Sequence, residues 1–296
     1  MKVRLLRTYG DGKFVEEEWT KPETTDDEIE VKAVMTGVCR SDIDMMSGQF
    51  PVLPAHMNGH EGLGIVTKVG SNIRFVKEGD IVATRGEPAY ADYYNVRQDE
   101  FLTVPEIHPR YILEPVACGI NCVTQAADEI RERQNQKCLI IGSGFLAWVA
   151  YNILVDEYKL DIDVLGTNNQ DIWLDRLLVG TSEHYDIVID LSGKYELGTE
   201  INLNNNSVII DAVGKSISHN EAQQQLWKAV KTVRPSPRTN SFIDCMYRAR
   251  GLILIGKLEV DSFWTKCYNR NTEWQQAFED GLNRPQGYSR GYIKWD

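Results

Sequence analysis

The sequence predicts an α/β protein in which a parallel, doubly wound sheet is joined to a separate β-rich domain. Three observations predict it. The first third alternates in the manner of short strands between glycine-rich turns. From about residue 116, buried apolar runs alternate with stretches of helical spacing. A glycine loop stands where the first such run meets the first long helix. Alternating β and α at this spacing argues for parallel βαβ units.

Within the first third, Glu28–Val34 alternates with a period of two, as half-buried strands do. Gly62–Gly70 is a second apolar, β-branched run bounded by glycines, and Glu78-Gly79-Asp80 reads as a turn into the strand Ile81–Ala83. Helical spacing follows from about Pro115 to Asn135. Lys137–Ile141 has the continuous apolar character of a strand covered on both faces. Phe145–Tyr158 predicts a helix, and Ile162–Leu165, Tyr185–Leu191, Ser207–Val213 and Leu252–Gly256 predict further strands. Asn204–Asn206 reads as a turn. Glu273–Asn283 predicts a helix, and Gly291–Trp295 a closing strand. The expected domains are 1–115 with 258–296, and 116–257.

Composition excludes some classes. A net charge of −11 argues against a nucleic-acid groove, which needs clustered lysine and arginine. No apolar run approaches the roughly 20 residues that cross a bilayer, and the first ten residues lack a signal-peptide apolar core. A soluble, cytoplasmic protein with a small-molecule substrate is therefore expected. The six cysteines contain no C-x-x-C pair, so zinc-ribbon and thioredoxin-type sites are not expected.

Gly142-Ser143-Gly144-Phe145-Leu146-Ala147 fits G-x-G-x-x-G/A between a predicted strand and a predicted helix. The first glycine permits the tight turn, the second lets backbone approach a pyrophosphate, and the small third residue lets helix and strand pack closely. The free N–H groups of the helix start then favour phosphate. This is the Rossmann dinucleotide arrangement, with Gly142, Ser143, Gly144, Phe145 and Leu146 as cofactor-binding residues. An NAD site usually carries an acid at the end of the second strand. Here that end reads Gly166-Thr167-Asn168-Asn169, and Asp161 and Asp163 fall before or within the strand. NADP is the expected cofactor, with Thr167 and Asn168 beside it; NAD is the alternative.

The strongest motifs are Gly37-Val38-Cys39-Arg40-Ser41-Asp42 and Gly59-His60-Glu61-Gly62 through Gly70. Cysteine thiolate and histidine imidazole are both zinc ligands. At these residues the chain resembles the zinc-containing medium-chain dehydrogenase/reductase family, of the alcohol and polyol dehydrogenase type. The likeness continues through Gly79-Asp80, Glu114-Pro115, the glycine loop and Tyr185–Gly193. A weaker likeness, at Leu165–Thr167 and the tail, is to the ribitol-phosphate dehydrogenase branch.

That resemblance implies a GroES-like catalytic domain and hydride transfer between a nicotinamide dinucleotide and an alcohol, polyol or sugar. It implies Cys39 and His60 as zinc ligands, and Glu61 as a ligand held directly or through water. Glu114 is the third protein ligand, with Cys118 one helical turn further on as its rival. Asp42 would orient His60, Ser41 would pass the alcohol proton outward, and Arg40 would meet the cofactor pyrophosphate. A homodimer or homotetramer is expected.

Three departures from the family stand out. Arg85–Tyr90 runs almost directly into Ala91–Val96, without the four-cysteine lobe, so a single catalytic zinc and no structural zinc is expected. Asp44 stands where relatives carry a relay histidine, and a carboxylate is less suited to shuttling protons near neutral pH. The stretch 168–184 is too short for a full helix–strand unit. These departures keep two alternatives open: a zinc-free quinone or enone reductase, and a cofactor-binding protein without turnover.

Overall fold

The computed structural model describes residues 1–51 and 58–295. The chain divides into two compact units, Met1–Pro115 with Met246–Asp296, and Val116–Cys245.

The first unit is β-rich. Strands β1 (Lys2–Thr8) and β2 (Phe14–Thr20) form an antiparallel hairpin. A seven-stranded sheet is built around β3 (Glu28–Gly37), which pairs antiparallel with β4 (Gly62–Val69) and β6 (Tyr93–Arg97). Beyond β4 lie β5 (Ile81–Thr84) and β7 (Phe101–Thr103); on the other side lie β15 (Arg290–Lys294) and β14 (Trp264–Asn269). The alternation read in β3 has a physical reason: Ile29, Val31 and Ala33 face the core while Glu30 and Lys32 are only half-buried. Each buried Ile or Val contributes roughly 1.5–3 kcal/mol relative to exposure. Phe14, Tyr90, Phe278, Ile293 and Trp295 join them in one cluster. Helices α1 (Arg40–Met46) and α8 (Trp274–Asn283) complete the unit.

The second unit holds six parallel strands in the order β10-β9-β8-β11-β12-β13. These are β8 (Lys137–Ile141), β9 (Asp161–Leu165), β10 (Leu177–Leu178), β11 (His184–Asp190), β12 (Asn202–Asp211) and β13 (Lys231–Val233). Helix α3 (Ala127–Arg131) precedes β8, and α4 (Phe145–Tyr158), α5 (Gln170–Trp173) and α6 (His219–Trp227) lie between later strands. The chain enters this unit within α2 (Glu114–Thr124) and leaves it within α7 (Phe242–Leu254). The strand order reverses direction at β8, between β9 and β11, which is where open α/β sheets bind ligands. This is the doubly wound sheet plus β-rich domain expected from the sequence.

Two local expectations are corrected. Leu252–Gly256 is not a strand: it is the end of α7 and the turn after it. A short apolar run does not distinguish strand from helix; the deciding pattern lies upstream, where Phe242, Cys245, Met246, Ala249 and Ile253 are all buried at helical spacing. Asn204–Asn206 is not a turn but part of β12, where the register against β11 shifts and Asn206 takes φ +58°. An irregular strand with solvent-facing amides carries the same composition as a turn. Among the described residues, no helix is long and apolar enough to cross a membrane.

Candidate metal centre and dinucleotide loop

Three potential ligands come together from two loops. Cys39 caps α1 with extended backbone, and His60 and Glu61 lie just before β4. The Cys39 sulfur, a His60 nitrogen and a Glu61 oxygen all lie within 4.8 Å of one another. The backbone binds the two loops together: Gly37 N–H donates to Glu61 O at 2.9 Å. Ser41 Oγ donates to Cys39 Sγ at 3.3 Å. Arg290, at the start of β15, donates from Nη2 to both Glu61 oxygens at 2.5 Å, with Glu61 fully buried.

The electrostatics favour a cation. Burial and the Glu61 charge push the Cys39 thiol up. Burial opposes a charge on His60, but Cys39, Asp42 and Glu114 outweigh it and hold the imidazole well above its usual range. Burial raises the Asp42 carboxyl in spite of His60 and Tyr90. Cys39, Asp42, Glu61 and Glu114 thus outnumber His60 and Arg290. A thiolate, an imidazole and a carboxylate in mutual reach are a fitting donor set for zinc.

Asp42 is fully buried. Its Oδ2 accepts from Cys39 N–H at 3.2 Å and from Tyr90 Oη at 2.8 Å. Its Oδ1 has no hydrogen-bond partner among the described residues and lies 3.9 Å from His60 Nδ1.

At the glycine loop, Gly142 takes φ +118°, a conformation that L side chains rarely adopt. Its N–H donates to Leu165 O at 2.8 Å. Gly144 caps α4, and a Cβ built on it would meet no other atom within 4 Å, so space lies over this helix start. Ser143 is held from the β9 side. Its Oγ accepts from Asn168 N–H at 3.0 Å, and its carbonyl accepts from Asn169 Nδ2 at 2.8 Å and Trp173 Nε1 at 3.0 Å. A buried carbonyl satisfied twice fixes the loop without using the N–H groups that would meet phosphate.

Residues 25–106 match the alcohol dehydrogenase GroES-like domain. An alcohol dehydrogenase of Moraxella sp. is 39% identical over 84 residues, 28% of this chain and 25% of that protein, so this match spans only a quarter of that relative. D-arabinitol dehydrogenase 1 of Uromyces fabae is 22% identical over 315 residues, covering 87% of this chain and 88% of the relative. These matches support the likeness of this chain to the medium-chain dehydrogenase/reductase family. A solved structure, a putative zinc-binding dehydrogenase from Sinorhizobium meliloti 1021 bound to NADP, superposes with TM-score 0.74 at 17% identity over 99% of each chain. That last likeness is one of fold.

The other family positions fall as follows. Glu114, the first residue of α2, is 3% exposed and within electrostatic range of His60, but lies outside the three-residue ligand cluster. Cys118 lies one turn further along α2 and is likewise outside it. Arg40 Nε donates to Asp44 Oδ1 at 2.7 Å, so the arginine expected at the pyrophosphate and the aspartate in the relay position are tied to each other. Phe145 is buried and Leu146 half-buried in the first turn of α4; Thr167 and Asn168 are exposed at the end of β9. Asp163 accepts from Tyr185 Oη at 2.8 Å within the sheet, away from the strand's end. Arg176 stacks over Tyr151, 5.8 Å from its ring centre. The segment 168–184 forms only α5 and the two-residue β10.

Two site residues escaped the sequence reading. Arg290 opens the closing strand β15 with no motif around it; the pairing of that strand with β3, Tyr292 against Gly37, brings it to Glu61. Tyr90 follows a proline and an alanine in what reads as a plain connection, yet it reaches Asp42.

Proposed function

We propose that this protein is a zinc-dependent oxidoreductase that transfers hydride between a nicotinamide dinucleotide and an alcohol, polyol or sugar, or the matching aldehyde or ketone. The observation that carries the reading is the convergence of Cys39, His60 and Glu61 within 4.8 Å. The polyol side draws support from the match to the Uromyces fabae D-arabinitol dehydrogenase 1, which covers 87% of this chain at 22% identity.

Cys39 and His60 supply two ligands; Glu61 or Glu114 supplies the third. Arg290 neutralises Glu61 and sets how far that carboxylate is free to leave its ion pair. When bound, zinc supplies Lewis acidity toward the substrate oxygen and the nicotinamide supplies or takes the hydride. Ser41 carries a hydroxyl beside Cys39 that can exchange a proton with the substrate oxygen. Asp44, the next group out, is held by Arg40, so proton release beyond Ser41 requires that pair to open or water to take over. The α4 N-terminus receives the pyrophosphate. The exposed Thr167 and Asn168, with no carboxylate at the end of β9, favour NADP over NAD; the Sinorhizobium meliloti relative's complex with NADP points the same way.

The test is metal analysis of the pure protein together with a panel of alcohols, polyols and aldehydes under NADP and NAD. One zinc per chain with turnover is expected. Absence of zinc after growth in zinc overturns the reading. Cofactor binding without turnover across the panel favours a binding protein, for which the Arg40–Asp44 pair is the structural argument.

A further inference from the structure

We propose that Tyr90 is a positioning residue for the metal centre, fixing the Asp42 carboxylate so that its second oxygen is reserved for His60; this rests on the zinc reading above. The Tyr90 hydroxyl has one proton and two acceptors, Asp42 Oδ2 at 2.8 Å and Gly37 O at 3.1 Å. With the Cys39 N–H also on Oδ2, both of these donors to the carboxylate sit on one oxygen. The other oxygen, Oδ1, is buried without a partner among the described residues and faces His60 Nδ1 across 3.9 Å. A buried carboxylate oxygen left without a donor is costly, and closing a gap of under about 1 Å satisfies it. The arrangement is therefore poised to draw the ring's Nδ1–H toward Asp42, which leaves the opposite nitrogen for a metal.

The ring of Tyr90 acts on the same pair from the other side. Gly59 takes φ +77°, and a Cβ there would lie 2.6 Å from Tyr90 Cγ. Ala89 N–H donates to Gly59 O at 2.9 Å. The turn that delivers His60 is thus pressed on Tyr90, while the ring itself is fixed edge-on by Phe14 and Phe278, at 5.9 Å and 5.3 Å. Packing alone would be served by phenylalanine. A hydroxyl fully removed from water is retained at a cost unless its bond matters, and here the bond is charge-assisted.

The experiment compares zinc affinity, by chelator competition, in wild type, Tyr90→Phe, Asp42→Ala and the double variant, with the metal-free Tm of each. Asp42→Ala is expected to weaken zinc binding roughly 10–100-fold, and Tyr90→Phe about tenfold, with little change in metal-free Tm. The double variant should bind no more weakly than Asp42→Ala, because the hydroxyl acts only through that carboxylate. Unchanged affinity in Tyr90→Phe overturns the proposal, as does an equal further loss in the Asp42→Ala background. Asp42→Asn serves as the background should Asp42→Ala fail to fold. If wild type binds no zinc, it is the proposed function that fails.

Discussion

Around Cys39 the chain brings together four groups able to carry negative charge, Cys39, Asp42, Glu61 and Glu114, against His60 and Arg290. At Gly142–Phe145 it brings together none. There the reactive surface is backbone, and the Ser143 side chain is turned inward, its Oγ accepting from Asn168 N–H. The first region is a charge problem that a dication solves. The second is a turn of backbone under open space at the start of α4. Substitutions should therefore act differently: at the metal centre they should disturb charge balance and fold together, and at the glycine loop they should disturb ligand binding alone.

The largest effect tests the first half of that contrast. Cys39→Ser and His60→Ala are expected to abolish stoichiometric zinc and lower kcat/KM by on the order of a thousandfold, the equivalent of several kcal/mol of lost electrophilic assistance. Steady-state kinetics beside metal analysis checks this. Zinc-free protein with undiminished turnover would move the chemistry away from this cluster.

Next comes Arg290→Met. Glu61 is fully buried and Arg290 nearly so, and removing one member of a buried pair strands the other charge at a cost of about 3–5 kcal/mol. Urea denaturation of the metal-free protein should register that loss. A zinc-loaded sample should recover part of it, because a metal ion offers Glu61 another cation. No recovery would mean that Glu61 serves the fold and not the metal.

Gly144→Val sharpens the contrast from the other side. Its Cβ meets no protein atom within 4 Å, so thermal stability should change by less than about 1 kcal/mol. NADP affinity, measured by fluorescence titration, should still fall roughly ten- to a hundredfold, because the side chain occupies the space the pyrophosphate approaches. A large stability loss with unchanged affinity would refute the idea that this loop is built around a ligand.

How much of this was legible follows the same division. The glycine loop and the Cys39 and His60 motifs are local in sequence, so the loop could be read from its spacing and the two motifs from their resemblance to a family. The β-rich sheet was legible because Ile29, Val31 and Ala33 alternate with Glu30 and Lys32 on a half-buried strand. Arg290 and Tyr90 were not legible. They reach the site through strand pairing and a core contact, 229 and 48 residues away from their partners, and nothing in their neighbourhoods marks them. Leu252–Gly256 was misread because its apolar run ends a helix whose period is set upstream.

The smallest effect supplies a control. Buried Lys21 and half-buried Glu30 pair in the same unit at 2.9 Å, with Thr67 Oγ1 donating to Glu30 at 2.8 Å. Burial raises the Glu30 carboxyl, but the Lys21 and Thr67 bonds outweigh it and hold the group below its usual range. A carboxylate with a depressed folded pKa stabilises the fold fully above its unfolded value, near 4.3, and loses that contribution as pH falls through the folded value. Glu30→Gln should therefore lower stability at pH 7 by about 1 kcal/mol or less and flatten the acid limb of the stability curve below about pH 4. Zinc content and NADP affinity should not move. If they did, charge balance anywhere in the β-rich unit would govern the centre, and the excess of acids around Cys39 would no longer be what singles it out.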